Sequence, residues 1–155
     1  IGISEVADDT QSWDQRFYWG VDNPKQLDDK TETIDGVEVT TTGLKTLWKA
    51  AQTDYASSVL SQSDWRVVKA KETGTNIPST WKTYRAAVRT ACNTRQAEID
   101  ACKDVPALVE LLFGQATIDR QKTDSEGKGI VDEKGAAVIE TVPNPAIATA
   151  WPTPI

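Results

Sequence analysis

The sequence predicts an α+β protein that is mainly α. Its order is an N-terminal β-hairpin, a compact bundle of about four helices, then a β-hairpin arm and an extended Pro-rich C-terminal tail. Alternating β-branched residues on both sides of Asp35-Gly36 predict the first hairpin. Apolar residues at helical spacing between Leu44 and Gly114 predict the bundle. Four of the seven prolines lie in residues 142–155, where they favour extended backbone.

Length and charge limit what the chain can be and what it can bind. With 155 residues we expect one domain in three parts: an N-terminal arm (1–16), a hairpin plus helical core domain (17–114), and a β-hairpin arm with an extended C-terminal tail (115–155). The net charge of −6 would repel phosphates, so nucleic acid is not an expected partner. No apolar run approaches the roughly 20 residues of a membrane span, so a membrane is not expected either.

The N-terminal elements are predicted from composition and turn chemistry. Residues 1–16 are polar, acidic and without periodicity, which indicates an arm. The run RFYWG at residues 16–20 predicts a short aromatic strand or a plug, and residues 31–41 predict a hairpin that turns at Asp35-Gly36. A first helix begins near Leu44, after Gly43. Its apolar face is formed by Leu44, Leu47, Trp48, Ala51, Tyr55 and Val59.

Capping signals bound the next three helices. Ser63 is the expected N-cap of the second helix, and Gly74 stands where a terminating glycine belongs. Ser79 is the expected N-cap of the third, and Asp104, with Pro106 in the first turn, begins the fourth. Steps of three and four predict that the third helix packs lengthwise against another helix. This seam consists of Trp81, Tyr84, Val88, Ala91, Arg95, Ile99 and Cys102.

The chain changes character after Gly114. Residues 116–123 predict a strand, residues 124–129 a hairpin loop, and residues 130–142 a hairpin that turns at Asp132–Gly135. The proline-rich tail that follows cannot be a central strand, because proline lacks an amide donor. We expect this tail to dock through Ile147 and Trp151.

Residue types argue against an enzyme. The chain has no histidine, so the commonest general base and zinc ligand and every Ser-His triad are missing. We therefore expect no catalytic residues, no cofactor and no metal. Cys92 and Cys102 are separated by about 15 Å of helix, too far for a disulfide, and are expected as buried free thiols. The adjacent carboxylates Asp8-Asp9 and Asp28-Asp29 are expected in solvated loops.

The aromatic residues divide into two groups. Those on helical apolar faces are predicted to be core helix-packing residues: Trp48, Trp65, Trp81 and Tyr84, together with Val88. Those in non-helical segments are candidates for docking onto a protein partner, where tryptophan is enriched, and exposed tryptophans could also stack on sugars. The docking candidates are Trp13, Phe17, Trp19, Ile147 and Trp151.

Residues 16–113 and the last few residues resemble a family of small tailed-bacteriophage proteins of the tail-fibre region. The similarity is carried by Ser63-Asp64-Trp65 before a basic segment, by Trp81, Tyr84 and Arg85 on the next helix, and by Trp151-Pro152 near the end. The upstream hairpin, FYWG…DG…TTTGLK, is also similar. Residues 116–142 form an insertion relative to the usual pattern.

The resemblance implies a non-enzymatic structural component of the virion tail, in the fibre, baseplate or tail tip, that acts by protein–protein docking. Its expected partners are other phage tail or fibre proteins, in a homo-oligomer or a symmetric assembly put together in the host cytoplasm. The insertion favours a subunit that clamps its neighbours. Two alternatives stay open: a tail-fibre assembly chaperone that is not retained in the particle, and an adhesin that binds host glycans.

Overall fold

A computed structural model describes residues 12–155, so the Asp8-Asp9 pair and most of the predicted arm at 1–16 lie outside the described residues. Within this range the chain forms four helices and six strands, with a hairpin near the N-terminus, and the α+β, mainly α, prediction is confirmed. The helices are α1 (Leu44–Ser61), α2 (Asp64–Thr73), α3 (Ser79–Ala101) and α4 (Val105–Phe113). The strands pair as three antiparallel hairpins: β1 (Tyr18–Gly20) with β2 (Asn23–Pro24), β3 (Lys30–Ile34) with β4 (Val37–Thr41), and β5 (Thr117–Gln121) with β6 (Ile139–Pro143).

The β3–β4 hairpin turns where the sequence predicts. Ile34 pairs with Val37, and both residues between them have positive φ, 51° at Asp35 and 79° at Gly36. Two successive left-handed residues are the requirement of the two-residue turn whose twist matches that of the strands. The predicted turn is therefore confirmed.

A distant aspartate caps the start of α1. The Gly43 amide donates to Asp29 Oδ1 (2.7 Å), and the Thr46 hydroxyl donates to Asp29 Oδ2 (3.0 Å). These bonds hold the pKa of Asp29 below its usual value, because they stabilise the charged carboxylate. A side chain at position 43 would collide with the chain, since a Cβ there would lie 2.3 Å from the Asp28 carbonyl carbon. Asp29 thus fixes the base of the β3–β4 hairpin to α1.

The core consists of two apolar clusters along α1 and α3. One contains Phe17, Leu44, Ile99, Cys102, Val105 and Leu108, and the other contains Ala56, Val88 and Cys92. The predicted seam of α3 supplies residues to both, and α1 is its main neighbour. Cys92 and Cys102 are buried free thiols, as predicted.

Of three predicted helix caps, two are confirmed and one is wrong. Gly74 ends α2 in the left-handed conformation (φ 64°), and Asp104 accepts a bond from the Ala107 amide (2.8 Å), both as predicted. Ser79 was wrongly predicted as the N-cap of α3. It is the first helical residue, because Pro78 already holds the preceding extended position.

The segment after α4 contains an eight-residue structural repeat. Lys122, Ile130 and Val138 are linked in a closed cycle: Lys122 N–H donates to Val138 O (2.8 Å), Val138 N–H to Ile130 O (3.0 Å), and Ile130 N–H to Lys122 O (2.8 Å). The predicted hairpin at 130–142 forms, and its second half also pairs with β5 through Ile139–Pro143. Two similar turns separate the three segments. In each, an aspartate side chain accepts two backbone amides and a glycine has positive φ, with Asp124 and Gly127 in one and Asp132 and Gly135 in the other.

Candidate docking surface

Two of the predicted docking residues line one cleft near the N-terminal end of the described chain. Trp13 and Trp19 are both exposed, Trp19 by 70%, and with Tyr18 they border a cleft of about 310 Å³. The Lys25 ammonium lies 4.5 Å from the centre of the Trp19 ring and donates to Gln15 O (2.6 Å). This cation–π contact holds one face of the ring, while most of the side chain stays in solvent.

Phe17 belongs to the core and is not available for docking. It is fully buried (0% exposed), lies parallel to Trp48 at 5.2 Å between ring centres, and meets Phe113 edge-on at 5.8 Å. The predicted docking role is therefore wrong. A tight turn after Asp14, which accepts the amides of Phe17 and Tyr18, directs the ring inward while its neighbour Trp19 points outward.

Trp151 lies against the protein's own helices, and Ile147 is half-buried in the same tail. Trp151 contacts Tyr55 of α1 (4.6 Å between ring centres), and both Ile147 and Trp151 are half-buried. The Ala148 amide donates to Leu111 O (2.8 Å) at the other side of the tail. Trp151 thus serves an intramolecular contact, in which the tail crosses α1, α3 and α4.

Polar bonds hold this tail at two further points. Arg95 donates from Nε to Gln52 Oε1 (2.6 Å) and from Nη1 to Thr149 O (2.5 Å), and Glu98 accepts both the amide and the hydroxyl of Thr149. Asn144, which is buried, donates to Glu110 Oε1 (2.6 Å). Burial lowers the pKa of Arg95, because it disfavours the charged form. The one polar residue of the predicted seam therefore binds the tail.

Two of the motifs that carry the sequence resemblance, Ser63-Asp64-Trp65 and the Trp81, Tyr84 and Arg85 set, meet at one corner. The buried Arg85 donates to Leu60 O (2.7 Å), Ser63 Oγ (2.6 Å) and Asp64 Oδ1 (2.7 Å). Ser63 is the N-cap residue of α2, as predicted, but its hydroxyl donates back to Leu60 O and does not bond to an amide of α2. Arg85 thus joins α3 to the end of α1 and the start of α2. A buried role for this arginine was not predicted, because charged residues are seldom buried unless paired.

Most of the predicted core helix-packing residues are buried or half-buried, and one is exposed. Val88 is buried, and Trp48, Trp81 and Tyr84 are half-buried. Trp65 was wrongly predicted as core and is 54% exposed. Within residues 12–155 no residue of α2 is buried, so no other element covers the face of α2 that carries Trp65. The Arg66 guanidinium, 4.5 Å from the ring centres of both Trp65 and Trp81, bridges the two instead.

In residues 12–155, no group of three or more cysteine or acidic side chains is placed to hold a metal ion. None of the helices described here is both long and apolar enough to cross a bilayer.

The prominent features of the surface are thus exposed apolar side chains on β1, β3, β4 and α2 and a tail folded back on the helices. Comparisons with protein-family models, with curated proteins and with solved structures found no match to this chain.

Proposed function

We propose that the protein is a non-enzymatic structural component of a tailed-phage virion that acts by docking onto other tail proteins. The observation that carries this proposal is the exposure of large apolar side chains on elements that project from the helical core. Trp19, Ile34 and Val37 are each more than half exposed. Exposed apolar patches and surface tryptophans are typical of protein interfaces.

On the resemblance, the proposed partners are other proteins of the fibre, baseplate or tail tip, in a homo-oligomer or a symmetric assembly formed in the host cytoplasm. The motif residues Ser63, Asp64 and Arg85 form a structural corner rather than an exposed patch. This arrangement supports separate roles for the motif residues and for the projecting segments. The motifs hold the helices in place, and the projecting segments on either side are left to contact neighbours.

Mass spectrometry of purified, washed particles tests the proposal. We expect the chain in stoichiometric amount relative to the major tail proteins. Its absence from washed particles would refute the structural role. If it then co-purified with fibre protein from infected cells, the assembly chaperone would be the better description.

The cleft between Trp13 and Trp19 favours a second candidate, the binding of host glycans. Its two exposed tryptophans, with Tyr18, offer aromatic faces of the kind on which sugar rings stack. Titration of tryptophan fluorescence with host surface polysaccharide tests it, with the variant Trp19→Ala as control. A signal that saturates in the wild type and is lost in the variant would support this candidate. An unchanged spectrum at high polysaccharide concentration would refute it.

A further inference from the structure

The β3–β4 hairpin has an apolar face that nothing in residues 12–155 covers. All ten residues of its two strands are exposed. The register places Ile34, Val37 and Val39 on one face, where Val37 is 62% exposed and the Lys30–Glu32 ion pair lies towards the base. Thr31, Thr33 and Thr40 lie on the other face with Glu38. A two-stranded hairpin is marginally stable in water by itself, so contact of this face with a partner would stabilise it.

A groove between α2 and α3 has the complementary character. It consists of two adjoining cavities of about 550 Å³ and 180 Å³, and Val67, Ala70 and Ile77 give it an apolar lining. Four basic residues border it, and no acidic residue does so in the part of the chain that the structure describes. The basic residues are Arg66, Lys69, Lys71 and Lys82. We call this surface the basic groove.

The charges of the two surfaces are opposite. Glu32, Asp35 and Glu38 are distributed along the hairpin and its turn, where Lys30 is the one basic residue and is paired with Glu32. A basic groove on a chain of net charge −6 selects for an acidic partner surface, because complementary potentials steer association and suppress wrong partners. The β3–β4 hairpin has both an excess of acidic residues and an apolar face.

The hairpin cannot reach the groove of its own molecule. Its base is held at the first turn of α1 by Asp29 and by the bond from Gln26 Nε2 to Thr41 O (2.7 Å). The groove is lined by α2 and by the start of α3. Arg85, further along α3, bonds to Leu60 at the end of α1, so the groove lies at the far end of α1, whose 18 residues span about 27 Å. The five-residue strands extend about 17 Å and do not lie along the helices, since every strand residue is exposed. A contact between these surfaces must therefore join two molecules.

We propose that the β3–β4 hairpin of one copy inserts its apolar face into the basic groove of a second copy. The interface is heterologous: each molecule gives a hairpin to one neighbour and accepts a hairpin from another. Ile34, Val37 and Val39 face Val67, Ala70 and Ile77. Glu32, on the same face of the hairpin, and Asp35, at its turn, face Lys71 and Lys82, while Glu38 lies on the opposite face. This inference rests on the proposed docking function and names a second copy of the chain as the partner.

Two variants separate the halves of the interface. Val37→Lys removes an apolar contact and adds a repelling charge to the hairpin, and Lys71→Glu/Lys82→Glu reverses the charge of the groove. Each is expected to raise the dissociation constant of self-association about tenfold or more, measured by analytical ultracentrifugation at low salt. The matched controls leave association unchanged: Thr40→Lys on the opposite face of the same strand, and Lys122→Glu/Lys134→Glu on the distant β-arm.

Mixing the two defective variants gives the sharpest test. The groove of Val37→Lys is intact, and so is the hairpin of Lys71→Glu/Lys82→Glu. A mixture should therefore form one-to-one dimers and nothing larger, although each variant alone stays monomeric. Circular dichroism of each variant checks the fold, which these exposed positions should not disturb.

Several outcomes would overturn the inference. These are a wild-type chain that stays monomeric at the highest concentration it tolerates, an oligomer that Val37→Lys leaves intact, or a mixture of folded variants that does not dimerise. Self-association that Val37→Lys abolishes and Lys71→Glu/Lys82→Glu leaves intact would also overturn it, because it would indicate hairpin-to-hairpin contact. None of these outcomes bears on whether the protein is found in washed particles, so the inference can fail while the proposed function stands.

Discussion

At the scale of single residues, polar side chains decide where the helices of this protein begin and end. Arg85 reaches across from α3 to the last carbonyl region of α1 and to the first turn of α2, and Asp29 reaches across to the first turn of α1. Both satisfy backbone groups that a helix end leaves without a partner. Local pattern could not predict either role, because the bonded residues are at least 14 positions apart in the sequence.

Arg85→Ala should lower the free energy of unfolding by about 2–3 kcal/mol, because it removes three hydrogen bonds in a buried site. Urea denaturation followed by circular dichroism measures this loss. Arg89→Ala, one turn further along α3 and exposed, is the control and should change stability by no more than about 0.5 kcal/mol. Equal effects of the two substitutions would contradict the role assigned to Arg85.

Asp29 should make stability depend on pH in the acid range. Its folded-state pKa lies below the ordinary value of 3.8, so its contribution is complete above that value and is lost as the pH falls through the folded pKa. Asp29→Asn should therefore lose less stability than the wild type between about pH 5 and pH 2, as followed by urea denaturation. Thr46→Val, which deletes one of the two bonds, should remove a smaller part of this dependence. Identical acid profiles for wild type and Asp29→Asn would contradict the cap.

At the scale of elements, those predicted most accurately are the ones that local chemistry determines. Asp35-Gly36, Gly74 and Asp104 act within a few residues of themselves, and all three were predicted correctly. Trp65 was not, because apolar spacing shows that a helix has an apolar face and not whether another element covers it. The same limit applies to the β3–β4 hairpin, because its alternating pattern predicts a strand face and not whether another element covers that face.

The C-terminal tail behaves as an element although it has no regular structure past β6. Trp151→Ala should lower the free energy of unfolding by about 1–2 kcal/mol, because it deletes the contact with Tyr55 at the end of the tail. Hydrogen exchange at the amides of Ala148 and Thr149 should accelerate as the tail opens. Trp19→Ala, in which a solvated ring is removed, should leave this exchange unchanged. Unaltered exchange in Trp151→Ala would show that the polar bonds alone hold the tail.

At the scale of the whole molecule, α1 and α3 run through both core clusters and should make them one cooperative unit. This long-range organisation was the part least accessible to prediction. The burial of Phe17 depends on Trp48 and Phe113, and that of Trp151 on Tyr55, contacts that bridge up to 96 residues of sequence. Sequence spacing carries no information about such pairs.

The two cysteines report separately on the two clusters. Cys92 lies in one and Cys102 in the other, and burial raises the pKa of the Cys102 thiol, which lowers its thiolate fraction at neutral pH. In the single-cysteine variants Cys92→Ala and Cys102→Ala, the remaining thiol should react slowly with Ellman's reagent until the protein unfolds. Both should become reactive at the same urea concentration. Separate midpoints would show that the two clusters unfold independently.

The eight-residue repeat after α4 has a practical consequence for locating the protein in a large complex. Its two turns, at Asp124–Gly127 and Asp132–Gly135, are exposed, and each is closed by its own aspartate, so neither relies on the helices for its shape. Exposed loop tips of this kind accept inserted sequence well. An epitope or a small fluorescent domain spliced between Glu133 and Lys134 would therefore mark each copy without touching the hairpin, the basic groove or the tail. Counting such marks in electron micrographs would give copy number and symmetry directly.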